Sequence, residues 1–505
     1  MKTQARTAHL GVFPLAMLMV LMVPRQARAT EYHVTPSDDL PALFWSLNAG
    51  DTVWFADGVY TPAIQNAPYN HLLIDAKVGS ANSWTTLKPE PGAHPRIVMY
   101  AMTGLTVKQS SFVRIEGLEL QGNGQDECEG GVQVIDSHDV QVVGNWVHDF
   151  GGSGIEGFDS QLLVEGNIVW HNNWRAHYGP SGITVYGGKL LSTDNSFFGG
   201  TLGNPGNKYE LIIRNNVVYD NRQQNKTSGG NYDGTTNDVT DGNGIILDRF
   251  DVEGNVLHSL VSNNVVFYNG GRCVHLYQSD HTDVVHNTCY QNLAFVVPNE
   301  AELTSFTNDN RFVDNLVYAT EGQRGKNGNS SQFMRNLFFH ASMVDGDNII
   351  DQDPLFVSVP PANPMNDADD AKLDAVGYFR LQSGSPAIGA GISFAGVTTD
   401  RLGASRPNPP AIGAYEPATS GSGGSGGSGG AGVGGTGGAG SGSGAMGGMA
   451  GMGAGGESSA GSGGNSSSKD GCGCRVAGEN ESRGFLAMTW LVVVGSIARR
   501  RRSKQ

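Results

Sequence analysis

From residue 145 onward the chain repeats one short pattern: an asparagine, a run of apolar residues, then a polar residue. It reads NWVHDF at 145, NIVWHN at 167, NVVYDN at 216, NVVFYN at 264, NTCYQN at 287, NLVYAT at 315 and NLFFHA at 336. Three of the intervals are 22, 23 and 21 residues, and the longer ones carry Gly/Asn-rich insertions. A period in the low twenties, rich in β-branched residues and glycine, predicts a solenoid of strands. Leucine-rich repeats share that period, but their Leu-x-x-Leu-x-Leu frame is missing here. Each repeat divides into three short strands, which around residues 210–250 are ELIIR, NVVYDN and GIILD. Rungs stacked about 4.8 Å apart align like residues into ladders. The repeated asparagine is therefore read as structural, bonding its own turn and the next rung.

Alternation along a strand decides which side chains leave the coil. With Ile183, Val185, Ile245 and Leu247 pointing in, Thr184, Tyr186, Ile246 and Asp248 point out. The same reading sends Glu156, His275 and Tyr277 outward. Stacking predicts one exposed row of Glu156, Thr184, Ile246 and His275, and beside it a row of Tyr186, Asp248 and Tyr277. Insertions at 187–208 and 222–240 border these strands and would wall a groove, since function favours loops held on a rigid scaffold. At the start, Leu40, Leu43, Phe44 and Leu47 share one helical face and stop at Gly50, a helical cap for the first rung.

Composition changes the picture mainly at the ends. Residues 1–29 read as a signal peptide, with Lys2 and Arg6 before the apolar run Gly11–Val23 and a small-x-small site at ARA, 27–29. Residues 417–470 are nearly pure Gly, Ser and Ala, a disordered linker that cannot bury a core. Residues 471–505 combine GCGC, a short apolar helix from Phe485 to Ala498, and RRRR. The formal charge of −15 excludes the basic stripe of a nucleic-acid binder. No Cys/His set has zinc spacing. Cys273 and Cys289 are read as small buried hydrophobes, with a bridge as the alternative in an oxidising compartment.

Taken together, GDTVWFADGVYT, the asparagine repeats and the closing stretches DPLFV, FRLQSGSPAIGAG and AIGAYE resemble the right-handed parallel β-helix, or pectin-lyase-like, superfamily over about residues 31–416. That implies an all-β fold for 30–416. The superfamily holds lyases, hydrolases, epimerases and non-enzymes, so the fold alone implies no activity. Residues 471–505 resemble the C-terminal sorting tail on exported proteins of myxobacteria. This implies processing near Cys472 and Cys474 by sorting machinery, and a secreted or cell-surface location.

The candidate chemistry follows from these placements. Asp241 and Asp248 stand about 20 Å apart along an extended strand and cannot clasp one ion. Asp233, Asp238 and Asp241 form a candidate calcium loop, although Asp and Asn also fill turns for backbone reasons. A calcium-assisted lyase of an acidic glycan needs a base and a cationic partner for the uronate carboxylate. Candidate catalytic residues are Arg272, His275, Asp248 and Lys226, with Arg249 nearby. Glu156, Trp174, His177, Tyr178, Tyr186 and Tyr277 are candidate sugar contacts. The Asp-Gly-Lys arrangement of some calcium-dependent lyases is missing, as is the full signature set of polygalacturonase-type hydrolases. The expectation is a monomeric polysaccharide lyase. A glycoside hydrolase using Glu156 and Asp248, or a glycan-binding surface protein, are the alternatives.

Overall fold

The computed structural model describes residues 29–417 apart from 64–71, 101–102, 124–129, 177–179, 190, 192–208, 224–240, 251–256, 295–300, 308, 321–323, 328–330, 342–345 and 362–376. Within them the chain winds as a right-handed parallel β-helix, three short strands to a rung. One sheet stacks nine parallel strands in chain order, among them Ile155–Phe158, Ile183–Tyr186, Ile245–Asp248 and Val274–Tyr277. This is called the first sheet. The second face includes Leu162–Glu165, Leu211–Arg214 and Ser259–Ser262, and the third includes Ile168–Trp170, Val217–Tyr219 and Val265–Phe267. Inward residues such as Val164, Ile213, Val218, Val261 and Leu247 are fully buried and form one continuous core.

Polar ladders fix the corners. The repeated asparagines form the first, running Asn145, Asn167, Asn216, Asn264, Asn287, Asn315, Asn336, all fully buried. At each step one side-chain oxygen accepts both the main-chain and side-chain N–H of the preceding rung. Asn264 shows the full set: its N and Nδ2 each donate to Asn287 Oδ1 at 2.9 Å, and Nδ2 also donates to Ile213 O at 2.9 Å. A second ladder runs Asn172, Asn221, Asn269, Asn292 and ends on Glu302, whose two carboxylate oxygens take the two Asn292 donors at 2.9 Å. Burial pushes the Glu302 carboxyl up to about 8. Ser110, Ser137 and Ser160 form a shorter ladder at the remaining corner. The residue before each first-ladder asparagine turns the chain in the left-handed region, as Gly166 (φ 67°) and Asn215 (φ 60°) do, conformations that Gly and Asn accept most readily.

The ends of the coil are covered differently. The helix Leu40–Ser46 is capped by Asp39, which accepts from Ala42 N at 3.1 Å, and buries Leu40 and Phe44 against the first rung. At the other end, Phe379, Leu381, Ala411, Ile412 and Tyr415 pack back over the later rungs. This closing stretch is pinned by the buried pair Arg406–Glu416 at 2.7 Å and by Ile392 N donating to the Asp314 carboxylate. Burial lifts Asp314 to about 7, beside His286 at 3.4 Å. Residues 1–28 and 418–505, where a signal peptide, a linker and a sorting tail are expected, lie outside the described residues.

Where the third face meets the first sheet, main chain and facing side chains approach closely. Gly131, at the start of the strand Gly130–Ile135, and Gly154, Gly182 and Gly244, each directly before a first-sheet strand, face Val147, Val169, Val218 and Val266. A Cβ on any of the four would stand 2.2–2.5 Å from the facing valine Cγ1. Gly182→Ala is therefore expected to destabilise the fold by about 2–3 kcal/mol through overpacking. A urea titration reads it directly, and an unchanged midpoint would show that the corner can spread.

In the next rung this pair becomes Cys273 and Cys289, joined by a disulfide with Cα atoms 5.7 Å apart. The expectation of two free hydrophobic thiols is thus corrected. Two side chains occupy room that elsewhere holds a glycine and a valine, and the bond lets them share it.

Candidate active site on the first sheet

The register of the first sheet aligns the outward residues as their alternation requires. Gln133, Glu156, Thr184, Ile246, His275 and Thr304 form one row. Phe158, Tyr186, Asp248 and Tyr277 form the next. The first row is not exposed, however: Glu156 is 9%, Ile246 2% and His275 4% accessible. Just before these strands Ser153, Ser181, Asn243 and Arg272 hydrogen-bond along the same edge, and Ser153 and Ser181 reach Thr184. Asn243 Nδ2 donates to Ser181 Oγ at 3.1 Å, and Arg272 N donates to Asn243 Oδ1 at 2.8 Å.

This edge forms a directed network. Ser181 N donates to Thr184 Oγ1 at 2.9 Å, so the Thr184 hydroxyl proton is free for Ser153 Oγ, 3.0 Å away. Ser153 and Gln133 bond the Glu156 carboxyl, the latter through Nε2 at 2.6 Å. Burial pushes Glu156 up from the ordinary range while these donors pull against it. Gly130 leaves room for that carboxyl, since a Cβ there would stand 2.9 Å from Glu156 Oε2. Glu156 is thus committed to the scaffold rather than presented to a ligand.

His275 is placed differently. Nδ1 lies 2.5 Å from Thr304 Oγ1, and Tyr277 and Phe306 pack on the ring at 5.9 and 5.4 Å between centroids. Burial, and then the Arg272 charge, hold the imidazole well below its usual range, so it is neutral at neutral pH. The Thr304 hydroxyl can rotate to accept from or donate to Nδ1, which sets whether Nε2 carries a lone pair or a proton. Beside it, Tyr277 and Phe306 are 39% and 40% accessible and meet edge to face at 6.1 Å. Arg249 hydrogen-bonds the Tyr186 hydroxyl and lies over its ring at 5.2 Å. Asp248 is half-buried with Arg249 Nε 3.9 Å from its Oδ1.

The remaining candidates fall elsewhere. Asp241 Oδ1 accepts from Asn243 Nδ2 at 3.3 Å, and its N–H donates to Gln223 Oε1 at 2.9 Å. Asp233, Asp238, Lys226, His177 and Tyr178 lie outside the described residues. Among the described residues no group of three His, Cys, Asp or Glu side chains could hold a metal ion. Asp241 by itself does not make a calcium site.

Trp174 packs edge-on against His171 at 4.3 Å, at the corner leading from the third face to the first sheet. There a second cluster alternates in charge. Arg96 meets Glu119 at 2.6 Å, Glu119 meets His148 at 3.2 Å, and Asp149 takes both His148 at 3.0 Å and His171 at 2.5 Å. Burial works against the His148 charge, but its bonds to Asp149 and Glu119 outweigh this and raise it above the ordinary value. Asp149, also opposed by burial, is held below the carboxylate range by the two histidines. A depressed Asp stabilises above its unfolded value and loses that as pH falls; a raised His stabilises below its unfolded value and loses that as pH rises. The cluster should therefore stabilise most between about pH 4 and 6.5. Asp149→Asn keeps a residue that tolerates φ 64° and removes the charge. It is expected to lower stability at pH 5.5 by about 1.5–3 kcal/mol and to flatten the acid limb of urea midpoints against pH.

The comparisons agree with this architecture. The family described as right handed beta helix region matches residues 82–198. No curated protein matches the sequence. Solved structures of similar fold include the pectate lyase Pel9A, at 14% identity and TM-score 0.45 over 77% of this chain and 97% of that one. Another is an alginate lyase from Paenibacillus sp. str. FPU-7, at 15% identity and TM-score 0.38 over 64% and 97% of the two chains. A third is the A-module of the mannuronan C-5 epimerase AlgE4 of Azotobacter vinelandii, at 14% identity and TM-score 0.31 over 60% and 87%. At these identities and scores the likeness assigns no chemistry to this chain.

Sequence reasoning missed Gln133, Ser153, Ser181, Asn243, Thr304 and Phe306. A signal existed for most of them. SGIE, SGIT, NGII and RCVH repeat a polar residue two places before each first-sheet strand, and AELTSF alternates to send Thr304 and Phe306 outward.

Proposed function

We propose that this is an exported, polysaccharide-active protein that cleaves an acidic glycan by β-elimination. The observation that carries the reading is His275: a neutral imidazole held by Thr304, next to Arg272, and bordered by the accessible pair Tyr277 and Phe306. An aromatic pair offers a stacking face for a sugar ring, and a guanidinium suits a uronate carboxylate. Arg272 and His275 are 6% and 4% accessible, so the uronate must enter past Tyr277 and Phe306 to reach them; with its carboxylate on Arg272, His275 Nε2 takes the proton from C5. The C–H electron pair forms the C4–C5 double bond, and the C4–O bond breaks. The leaving oxygen keeps its pair and takes a proton from water. Asp248, Arg249 and Tyr186 form the adjoining row, suited to the neighbouring sugar hydroxyls. Retaining or inverting hydrolysis needs two available carboxyls flanking the bond, and the bonding of Glu156 argues against that route.

The test is turnover by the full chain on pectate, alginate and glycosaminoglycan, followed by ultraviolet absorbance of the new double bond and by reducing ends. Both should rise together. Reducing ends without unsaturation would replace the lyase with a hydrolase, and tight binding without either would make the protein an adhesin. Parallel reactions with calcium and with EDTA test Asp233, Asp238 and Asp241 as a calcium loop. Export by residues 1–29 and surface retention by 471–505 are tested by cell fractionation with and without each segment.

A further inference from the structure

We infer that the Cys273–Cys289 disulfide positions Arg272 and His275, so that the first-sheet site is complete only in the oxidised protein. This rests on the proposed role of those two residues, while the geometry behind it does not. Cys273 lies between Arg272 and Val274, directly before the strand that carries His275, and Cys289 lies on the third face. Both are fully buried. The preceding rungs show what fits between these two walls. Gly154, Gly182 and Gly244 face Val169, Val218 and Val266, with room for no further atom: a Cβ would fall 2.5, 2.5 and 2.2 Å from the facing methyl. The register carries this column without a break, Ile245 pairing with Val274 and Val266 with Cys289.

A Cys/Cys pair brings two sulfur atoms into that gap. Bonded, they sit within each other's van der Waals radius and the walls keep their spacing. Unbonded, the Cys273 thiol is larger than the space a glycine leaves and its sulfur must stand at van der Waals distance from that of Cys289, so the walls must part. The main chain on the Arg272 side is bonded to the preceding rung, Arg272 N donating to Asn243 Oδ1 at 2.8 Å and Arg272 O accepting from Gly244 N at 2.8 Å, so a parting of the walls is carried directly into Arg272 and the strand behind it. The movement shifts Arg272 against His275, and a displacement of about 1 Å at a reacting centre lowers rates by about 100-fold. Oxidation removes two electrons and two protons from the thiols. A small-molecule or protein disulfide accepts them by thiol–disulfide exchange and becomes two thiols. Such exchange is available outside the cytoplasm, so the site would assemble after export.

The test separates room from covalency, using two double variants of the full chain that both lack the bond. Cys273→Gly with Cys289→Val recreates the pair of the preceding rungs. Cys273→Ser with Cys289→Ser leaves two unbonded side chains in the gap. The readouts are the His275 titration by NMR and, on whichever acidic glycan is cleaved, kcat and KM. The Gly/Val protein is expected to keep the low His275 titration and kcat within about threefold of wild type. The Ser/Ser protein should titrate about one unit higher and lose about 10- to 100-fold in kcat with KM little changed. Equal behaviour of the two variants, whether both intact or both impaired, would overturn the inference, because a purely global staple treats them alike. If wild type turns over no glycan, the lyase reading fails, and the His275 titration still decides the positioning role.

Discussion

Asn264→Ala is expected to destabilise the coil by about 3–5 kcal/mol, more than any single outward substitution on the first sheet. The side chain is fully buried and makes four hydrogen bonds, two as acceptor and two as donor. Truncation leaves the Asn216 main-chain N–H without its acceptor at 3.0 Å and the Ile213 carbonyl without its side-chain donor at 2.9 Å. Neither is accessible to water, so each bears most of its desolvation penalty. The methyl that replaces the amide also opens a small cavity in the corner. Asn264→Asp gives a sharper comparison. A carboxylate can accept from Asn216 but has no N–H for Asn287 Oδ1 or Ile213 O, and it is buried as a charge. It should cost at least as much at pH 7 and recover part of the loss as pH falls and the group is protonated. Urea midpoints for the two variants at pH 7 and pH 5 read both effects. A loss below about 1 kcal/mol for the alanine variant would mean the ladder is satisfied by water and is not a structural spine.

The same ladder explains why so much of the fold could be read from the sequence. Asn145, Asn167, Asn216 and Asn264 recur because one amide accepts from, and donates to, successive rungs, and no other side chain does both with this reach. That chemistry leaves a one-letter trace at a fixed spacing. Strand alternation left another, and it put Glu156, Thr184, Ile246 and His275 in one row as the register has them. Alternation could not show that this row is covered, because its neighbours include Ser153 and Ser181 at the strand entrances, beside Thr184, and Thr304 and Phe306 on the next rung, beside His275. Ser153 reaches the row through its bond to Thr184, 31 positions away, while Asn243 and Arg272 tie the entrances to one another across 62 and 29 positions. Glu156 illustrates the difference. Its direction was legible, but its commitment depends on Gln133, on a rung 23 residues earlier, as well as on the neighbouring Ser153. The bridge between Cys273 and Cys289 was open on sequence grounds because either state suits two buried sulfurs. What decides it is the narrow glycine–valine gap, visible only once the two faces are in register.

His275→Gln is expected to lower kcat on an acidic glycan by about 10²- to 10⁴-fold, the range a general base contributes. Glutamine keeps a polar group near Thr304 Oγ1 but offers no basic nitrogen, so binding through Tyr277 and Phe306 should survive and KM should change little. The pH dependence gives a stronger test, because the acid limb belongs to His275 and its position is set by its surroundings. A base works when unprotonated, so rate is lost as pH falls through its pKa. Burial and then Arg272 hold that pKa well below the usual value, so wild-type kcat should be level from about pH 6.5 to 8. Arg272→Gln removes the nearby positive charge without removing the burial. The acid limb should therefore move to higher pH, and kcat at neutral pH should fall further than lost carboxylate binding alone would require. Two roles for one guanidinium are thereby separated: the shift of the limb reports its field on His275, and the residual loss on the high-pH plateau reports its contact with the substrate. A limb that stays in place while the plateau drops would confine Arg272 to the substrate, and a limb that disappears in neither variant would remove His275 from the role of base.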